Sequence, residues 1–178
     1  MGIKREPAKI FSIVLRYFLL LIAGLNIWVF YVLFAPLTIY PAFFLLNIFY
    51  DASFSGANLI LGSFYIQLAD ACIAGSAYYL LLALNLATPM PIKKRMFSLL
   101  FTFLSFLIIN ILRISFFSVL FINSFSLFNI LHLIFWYFIS AVFVFAIWFV
   151  NVKLFKIQDI PVYSDFKLLF KIIKRKSS

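Results

Sequence analysis

Three clusters of basic residues divide an otherwise apolar chain, and their placement constrains the fold more than any other feature of the sequence. Fourteen of the fifteen Lys and Arg residues lie in them: Lys4, Arg5, Lys9 and Arg16; Lys93, Lys94 and Arg95; and seven between Lys153 and Lys176. Apolar runs flanked by short basic clusters are the pattern of membrane helices, whose cytoplasmic loops are enriched in Lys and Arg. With all three clusters on the cytoplasmic side, each interval between them crosses the membrane an even number of times. Met96–Asn151 then runs out and back around an external turn near Asn123–Asn129. Phe11–Pro91 does the same, with its external part inside Pro36–Ala71, a stretch that carries Asp51 and Asp70 but no Lys or Arg.

Composition agrees. The chain has 178 residues, 66% hydrophobic and only 11% charged, which excludes an ordinary soluble domain. At roughly 20 residues per crossing, the apolar part suffices for about four to six spans and leaves no room for a second, water-soluble domain. The expected fold is an all-α polytopic membrane protein, a helical bundle in the plasma membrane. Residues 1–152 are expected to form one transmembrane domain with a cytoplasmic N-terminus, and 153–178 a basic cytoplasmic tail. The net charge of +10 does not indicate nucleic acid, because the basic residues flank apolar runs. No metal or other cofactor is expected: one cysteine and one histidine cannot assemble a Cys/His zinc cluster.

Along the chain, Ile10 to about Phe34 is too long for the core of a cleaved signal peptide and reads as a retained first span. Pro41–Tyr50 is apolar but too short to span, and reads as re-entrant or interfacial. In SFSGANLILGSFYIQLADAC, Phe64, Ile66 and Leu68 alternate with Ser63, Tyr65 and Gln67, and Gly56 and Gly62 interrupt. This period of two predicts a small extracytoplasmic β-hairpin leading to Cys72. AGSAYYLLLALNLATPMP follows as a span that Pro89 and Pro91 end. From Tyr163 onward, Phe166, Leu169, Phe170 and Ile173 share one helical face and Lys167, Lys171 and Lys174 lie elsewhere. That is the pattern of a basic amphipathic helix lying on anionic lipid.

Arg113 is the one basic residue outside the clusters, and inside an apolar helix its charge costs at least about 2.5 kcal/mol unless it finds a partner. It lies eighteen residues past Arg95, or roughly 27 Å from the cytoplasmic boundary at about 1.5 Å per residue. Cys72 stands twenty-one residues before Lys93 and His132 twenty-one before Lys153, each at about 31 Å. Three reactive residue types on three spans thus share one depth near the outer face. Taken singly, each has an ordinary role: a packing cysteine, an interfacial histidine, an arginine snorkelling to headgroups. Taken together they suit acyl transfer through a thioester. Cationic neighbours favour a thiolate, imidazole can shuttle a proton to a leaving amine, and arginine can hold an oxyanion or a carbonyl. Asn110, one turn from Arg113, either orients Arg113 or a substrate carbonyl or makes an interhelical hydrogen bond. Asp70 either holds His132 or Arg113 or is an exposed loop carboxylate.

A glycine-containing extracytoplasmic segment leading into ADACIAGSAYYLLL, then NILRI, then a histidine opening the last span in NILHLIFWYF, resembles the exosortase/archaeosortase family of membrane cysteine transpeptidases. The likeness runs from about Ser53 to Val150, and the short length is closer to the compact archaeal members. After the cysteine the chain reads Ile73, Ala74, Gly75 rather than the Cys-x-Gly common in bacterial members. The resemblance implies that Cys72 is the nucleophile, Arg113 the arginine and His132 the third catalytic member, on the outer face. It also implies substrates that are exported proteins with a tripartite C-terminal tail: a short motif, one transmembrane helix and a basic cluster. The cleaved protein would pass to a lipid or other amine acceptor. Two other functions fit the residues: a non-enzymatic transport or assembly protein with a functional buried arginine, and an acyl- or lipid-modifying enzyme that uses His132 without a thiol intermediate.

Overall fold

The computed structural model describes residues 6–55, 58–67, 70–159 and 161–176. It is mostly helical, with one small sheet. Helices α1 (Glu6–Leu25) and α2 (Trp28–Asn47) follow one another through Asn26 and Ile27. The break interrupts the expected first span, and at it the Asn26 side-chain amide donates to the carbonyl of Ile22 at 2.9 Å. The segment expected to be re-entrant or interfacial, Pro41–Tyr50, is helical as far as Asn47 and forms the last part of α2. Both Pro36 and Pro41 lie inside that helix. Each proline removes its own N–H bond, but an apolar helix keeps its remaining backbone groups paired, and prolines are tolerated there where they would break a helix in water.

After α2 the Asn47 side chain accepts from the backbone N–H of Ala52 at 3.1 Å and starts the sheet. Strands β1 (Ala52–Ser55), β2 (Asn58–Leu61) and β3 (Phe64–Gln67) form an antiparallel meander. The hairpin expected from the period of two is present as β2–β3, and β1 adds a third strand. Gly62 supplies the φ of +60° that the two-residue β2–β3 turn requires. Leu59 and Leu61 are buried against Leu46, Val119 and Ile122, so the sheet sits on the far ends of α2 and α5.

The chain continues through a short helix α3 (Asp70–Ile73), then α4 (Gly75–Leu86), α5 (Ile92–Ile122), α6 (Phe128–Ile134), a π-helical turn (Phe135–Ile139), α7 (Ser140–Leu154) and α8 (Tyr163–Lys176). α4 is shorter than the expected span because a left-handed Ala74 separates it from α3 and its helix stops before Ala87. Phe34, Tyr78, Leu81, Phe106, Val144 and Ile147 from α2, α4, α5 and α7 build the core, with Phe34 stacked on Tyr78. α4 approaches α2 closely at Gly75, where an added Cβ would lie 2.9 Å from the Tyr31 ring. Gly75→Ala is therefore expected to push the two helices apart and cost about 1–3 kcal/mol, read as a lower thermal midpoint in detergent. An unchanged midpoint would mean that Tyr31 yields without cost.

Arg16, Lys94 and Arg95 from the first two basic clusters gather with residues of the third segment at one end of the bundle. Buried Arg95 donates to the carbonyls of Asn85, Leu86 and Thr88 at 3.3, 3.2 and 3.0 Å and caps the C-terminus of α4. Arg16 donates to Leu86 O at 3.3 Å and pairs with Asp165 of α8. Lys94 reaches the carbonyl of Lys156. Beside them Asn85 donates to Ser98 and Ser98 to Asn151, at 2.6 and 3.0 Å, linking α4, α5 and α7. Lys4 and Arg5 and the side chains of Lys9, Lys171, Ile173 and Lys174 lie outside the described residues.

Polar side chains such as Asn85, Ser98, Thr102, Asn110 and Asn151 are buried, whereas Phe11, Phe18, Leu25, Trp28, Phe44, Phe97, Phe138 and Phe149 are exposed. By length and composition α2 and α5 suffice to cross a membrane, and Ile10–Leu25, α4 and α7 are shorter apolar helices.

Candidate functional site

The site begins with a break in the helix. Ala74 adopts φ 57° and ψ 43°, so the helical ladder stops between α3 and α4 and carbonyls at the end of α3 need other donors. α5 supplies them. Asn110 Nδ2 donates to Cys72 O at 3.0 Å and to Ile73 O at 3.2 Å. Arg113 donates to the same Cys72 carbonyl at 3.1 Å. Spaced by three on α5, these two side chains share a face, which lets both reach one broken helix end. Of the roles expected for Asn110, the interhelical hydrogen bond is the one formed, and it holds the backbone of the cysteine.

A second donor of the Arg113 guanidinium reaches Ser140 Oγ at 2.7 Å, and Ser140 in turn donates to Phe135 O at 2.8 Å. A hydroxyl has one proton to give and lone pairs to accept with, so Ser140 satisfies both contacts at once. Phe135 is five residues before Ser140 and opens the π-helical turn. Such turns are rare and concentrate at functional sites. Arg113 is thus held between α3 and α7 rather than snorkelling toward headgroups.

His132 stands on α6 among aromatic rings. It stacks on Phe128 with centroids 5.4 Å apart, and Phe117 meets it edge-on at 5.3 Å. Trp136, one turn later, lies 5.9 Å away. Arg113 is within electrostatic reach of both Cys72 and His132. Cys72, Arg113 and His132 line one cavity of about 270 Å³, together with Tyr65, Ile66 and Gln67 of β3 and the rings of Phe117, Phe121, Phe128, Phe135 and Trp136. Cys72 is partly exposed there. Comparisons with protein-family models, curated proteins and solved structures return no match.

Three residues expected to share a depth therefore share a cavity, and Asn110 adjoins it through the Cys72 carbonyl. The side chain of Asp70 lies outside the described residues. Ser140 and the β3 wall were not singled out from the sequence. Ser140 is eight residues past His132, which in a regular α-helix is a rotation of about 80° away from it. The π-helical turn changes that phase, and no residue pattern announces it. The alternation in Phe64–Gln67 did mark a strand, but not what the strand faces. Among the described residues no three His, Cys, Asp or Glu side chains gather as a metal site.

Proposed function

We propose that the chain is a polytopic plasma-membrane cysteine protease/transpeptidase of the exosortase/archaeosortase type, with its site facing outward. One observation carries this reading: Cys72, Arg113 and His132 come from three separate helices and open onto one cavity, far from the basic clusters. The membrane setting is supported by the apolar exterior, the polar interior and the two long apolar helices. The gathering of basic side chains at one end supports a cytoplasmic placement of that end. The bundle then crosses four times: outward along α1 and α2, inward along α4, outward along α5 and inward from α6 through α7.

In the reaction, His132 takes the Cys72 proton while the Arg113 charge favours the thiolate. The thiolate adds to a substrate carbonyl. The C–N bond then breaks, the leaving amine takes the proton from His132, and the acyl group stays on sulfur as a thioester. An acceptor amine or lipid nucleophile gives its proton to His132, attacks the thioester and releases the thiolate. No redox partner or cofactor enters this balance. The substrates are exported proteins with a C-terminal motif, transmembrane helix and basic cluster, and membrane lipids surround the enzyme.

The thiol tests the reading directly, because Cys72 is the only cysteine. A membrane-impermeant maleimide added to intact cells at neutral pH is expected to label Cys72. The rate is expected to fall about tenfold in Arg113→Gln, because the thiolate is the reacting form, and to fall in His132→Ala as well. Equal rates in all three proteins, or no labelling after detergent solubilisation, would make Cys72 a packing residue and remove the catalytic assignment.

A further inference from the structure

The sheet order β1-β2-β3 leaves β3 at an edge. Its register on β2 pairs Leu61 with Phe64, Ile60 with Tyr65, Leu59 with Ile66 and Asn58 with Gln67. Across a two-residue turn the flanking pair exchanges both backbone bonds, and the pattern then alternates. Phe64 and Ile66 therefore turn their N–H and C=O groups toward β2, while Tyr65 and Gln67 turn theirs to the open edge. Among the described residues, no backbone hydrogen bond from outside the sheet reaches Tyr65 or Gln67.

Open edges are liabilities, and proteins blunt them with Lys, Pro, bulges or a covering element. β3 reads Phe-Tyr-Ile-Gln and carries no charge and no proline. Tyr65, Ile66 and Gln67 instead form one wall of the cavity that holds Cys72, Arg113 and His132. The open edge and the thiol thus belong to one continuous surface.

We propose that β3 is the substrate-docking strand: an extended segment of the substrate polypeptide pairs with the backbone of Tyr65 and Gln67 as a fourth strand and lays its scissile carbonyl beside Cys72. This rests on the transpeptidase reading above. A peptide entering an apolar, aromatic-walled cavity leaves water behind, so its own N–H and C=O groups need partners. The edge offers two N–H and two C=O groups in the spacing an extended chain matches. Successive side chains of the bound segment then point alternately toward and away from the aromatic wall of Phe117 and Phe121, which favours apolar residues at every second position. The edge sets where cleavage falls by register, and Cys72 supplies the chemistry.

Proline scanning of the strand separates this role from a structural one. The N–H groups of Tyr65 and Gln67 face outward, so Tyr65→Pro and Gln67→Pro remove a docking donor without removing a β2–β3 bond. The probe is an exported reporter carrying a tripartite tail encoded in the same genome. Each proline variant is expected to raise KM about three- to tenfold, the worth of a backbone hydrogen bond, with the maleimide labelling rate of Cys72 unchanged. Tyr65→Val, which keeps the N–H but loses the ring from the cavity wall, is expected to raise KM less than Tyr65→Pro does; an equal rise would assign the effect to the ring and overturn the docking strand. A synthetic tail peptide bearing single N-methyl amides upstream of the cut leaves the enzyme untouched, and its inhibition of cleavage is expected to alternate with a period of two. Wild-type KM in both proline variants, or equal tolerance of N-methylation at every position, would overturn the docking strand while leaving the transpeptidase reading standing. Proline variants that dissolve a dimer yet process normally would assign the edge to a second copy of the chain and overturn it too. Wild-type enzyme that does not process the reporter through Cys72 would remove the reading and the docking strand together.

Discussion

Cys72→Ser is expected to reduce cleavage of a tripartite-tailed reporter by about a thousandfold or more while the protein stays in the membrane at wild-type level. The change removes little volume. Cys72 is partly exposed at the cavity wall, and the contacts that hold its backbone run from Asn110 and Arg113 to its carbonyl. Those bonds run to the backbone, so they survive the change of side chain. On the transpeptidase reading the chemistry does not survive it: a serine hydroxyl at this site stays protonated, because an arginine charge that would favour a thiolate does not suffice for an alkoxide. Immunoblots of reporter cleavage and of enzyme abundance, read side by side, make the measurement. Full processing by Cys72→Ser would show that no thioester forms and would move the assignment to an enzyme that uses His132 alone. Loss of processing with loss of the protein itself would say that Cys72 packs rather than reacts.

The second large effect lies at the other end of the bundle. Arg16 Nη2 and Asp165 Oδ1 are 2.6 Å apart, and their side chains are only 10% and 4% exposed. Tyr17 adds a hydrogen bond from its hydroxyl to the second carboxylate oxygen at 3.3 Å. Asp165→Ala leaves the Arg16 charge buried with backbone carbonyls for company, and breaking a buried pair on one side costs about 3–5 kcal/mol. α8 then loses its charged tie to α1, while the Val162 N–H to Ala87 O bond at 3.2 Å remains at its start. The expected outcome is a clearly lower thermal midpoint in detergent and faster proteolysis within Tyr163–Lys176. The double variant Arg16→Leu with Asp165→Leu is expected to recover most of the loss, because it removes both charges instead of stranding one. A cost below about 1 kcal/mol for Asp165→Ala would place the pair in water, where ion pairs contribute little. The pair also qualifies the expected tail: the amphipathic helix is present, yet it is pinned to α1 through its one acidic residue, with Phe166 and Phe170 left exposed.

The mostly helical architecture and its apolar runs were legible in the sequence because hydropathy and charge are local properties. The cost of burying an arginine or an unpaired backbone group acts on each residue wherever its partner comes from, so apolar runs, basic ends and the odd placement of Arg113 can be read along one dimension. The hairpin before Cys72 was legible for the same reason, since a period of two needs no tertiary partner to be recognised. Length misled at Pro41–Tyr50: the run is too short to span when counted from Pro41, but α2 starts at Trp28 and carries Pro36 and Pro41 through to Asn47. Only the tertiary structure decided how the site is built. That Asn110 and Arg113 meet on one carbonyl depends on a left-handed Ala74 opening the helix opposite them. That Ser140 holds Arg113 depends on a π-helical turn that shifts the phase between α6 and α7. Hydrogen-bond partners on different helices are set by how the helices pack, and a residue's own neighbours in sequence carry no record of that. The sequence by itself determined the apolar helices, the hairpin and the isolation of Arg113 among apolar residues; packing decided that Cys72, Arg113 and His132 share a cavity that β3 helps to line.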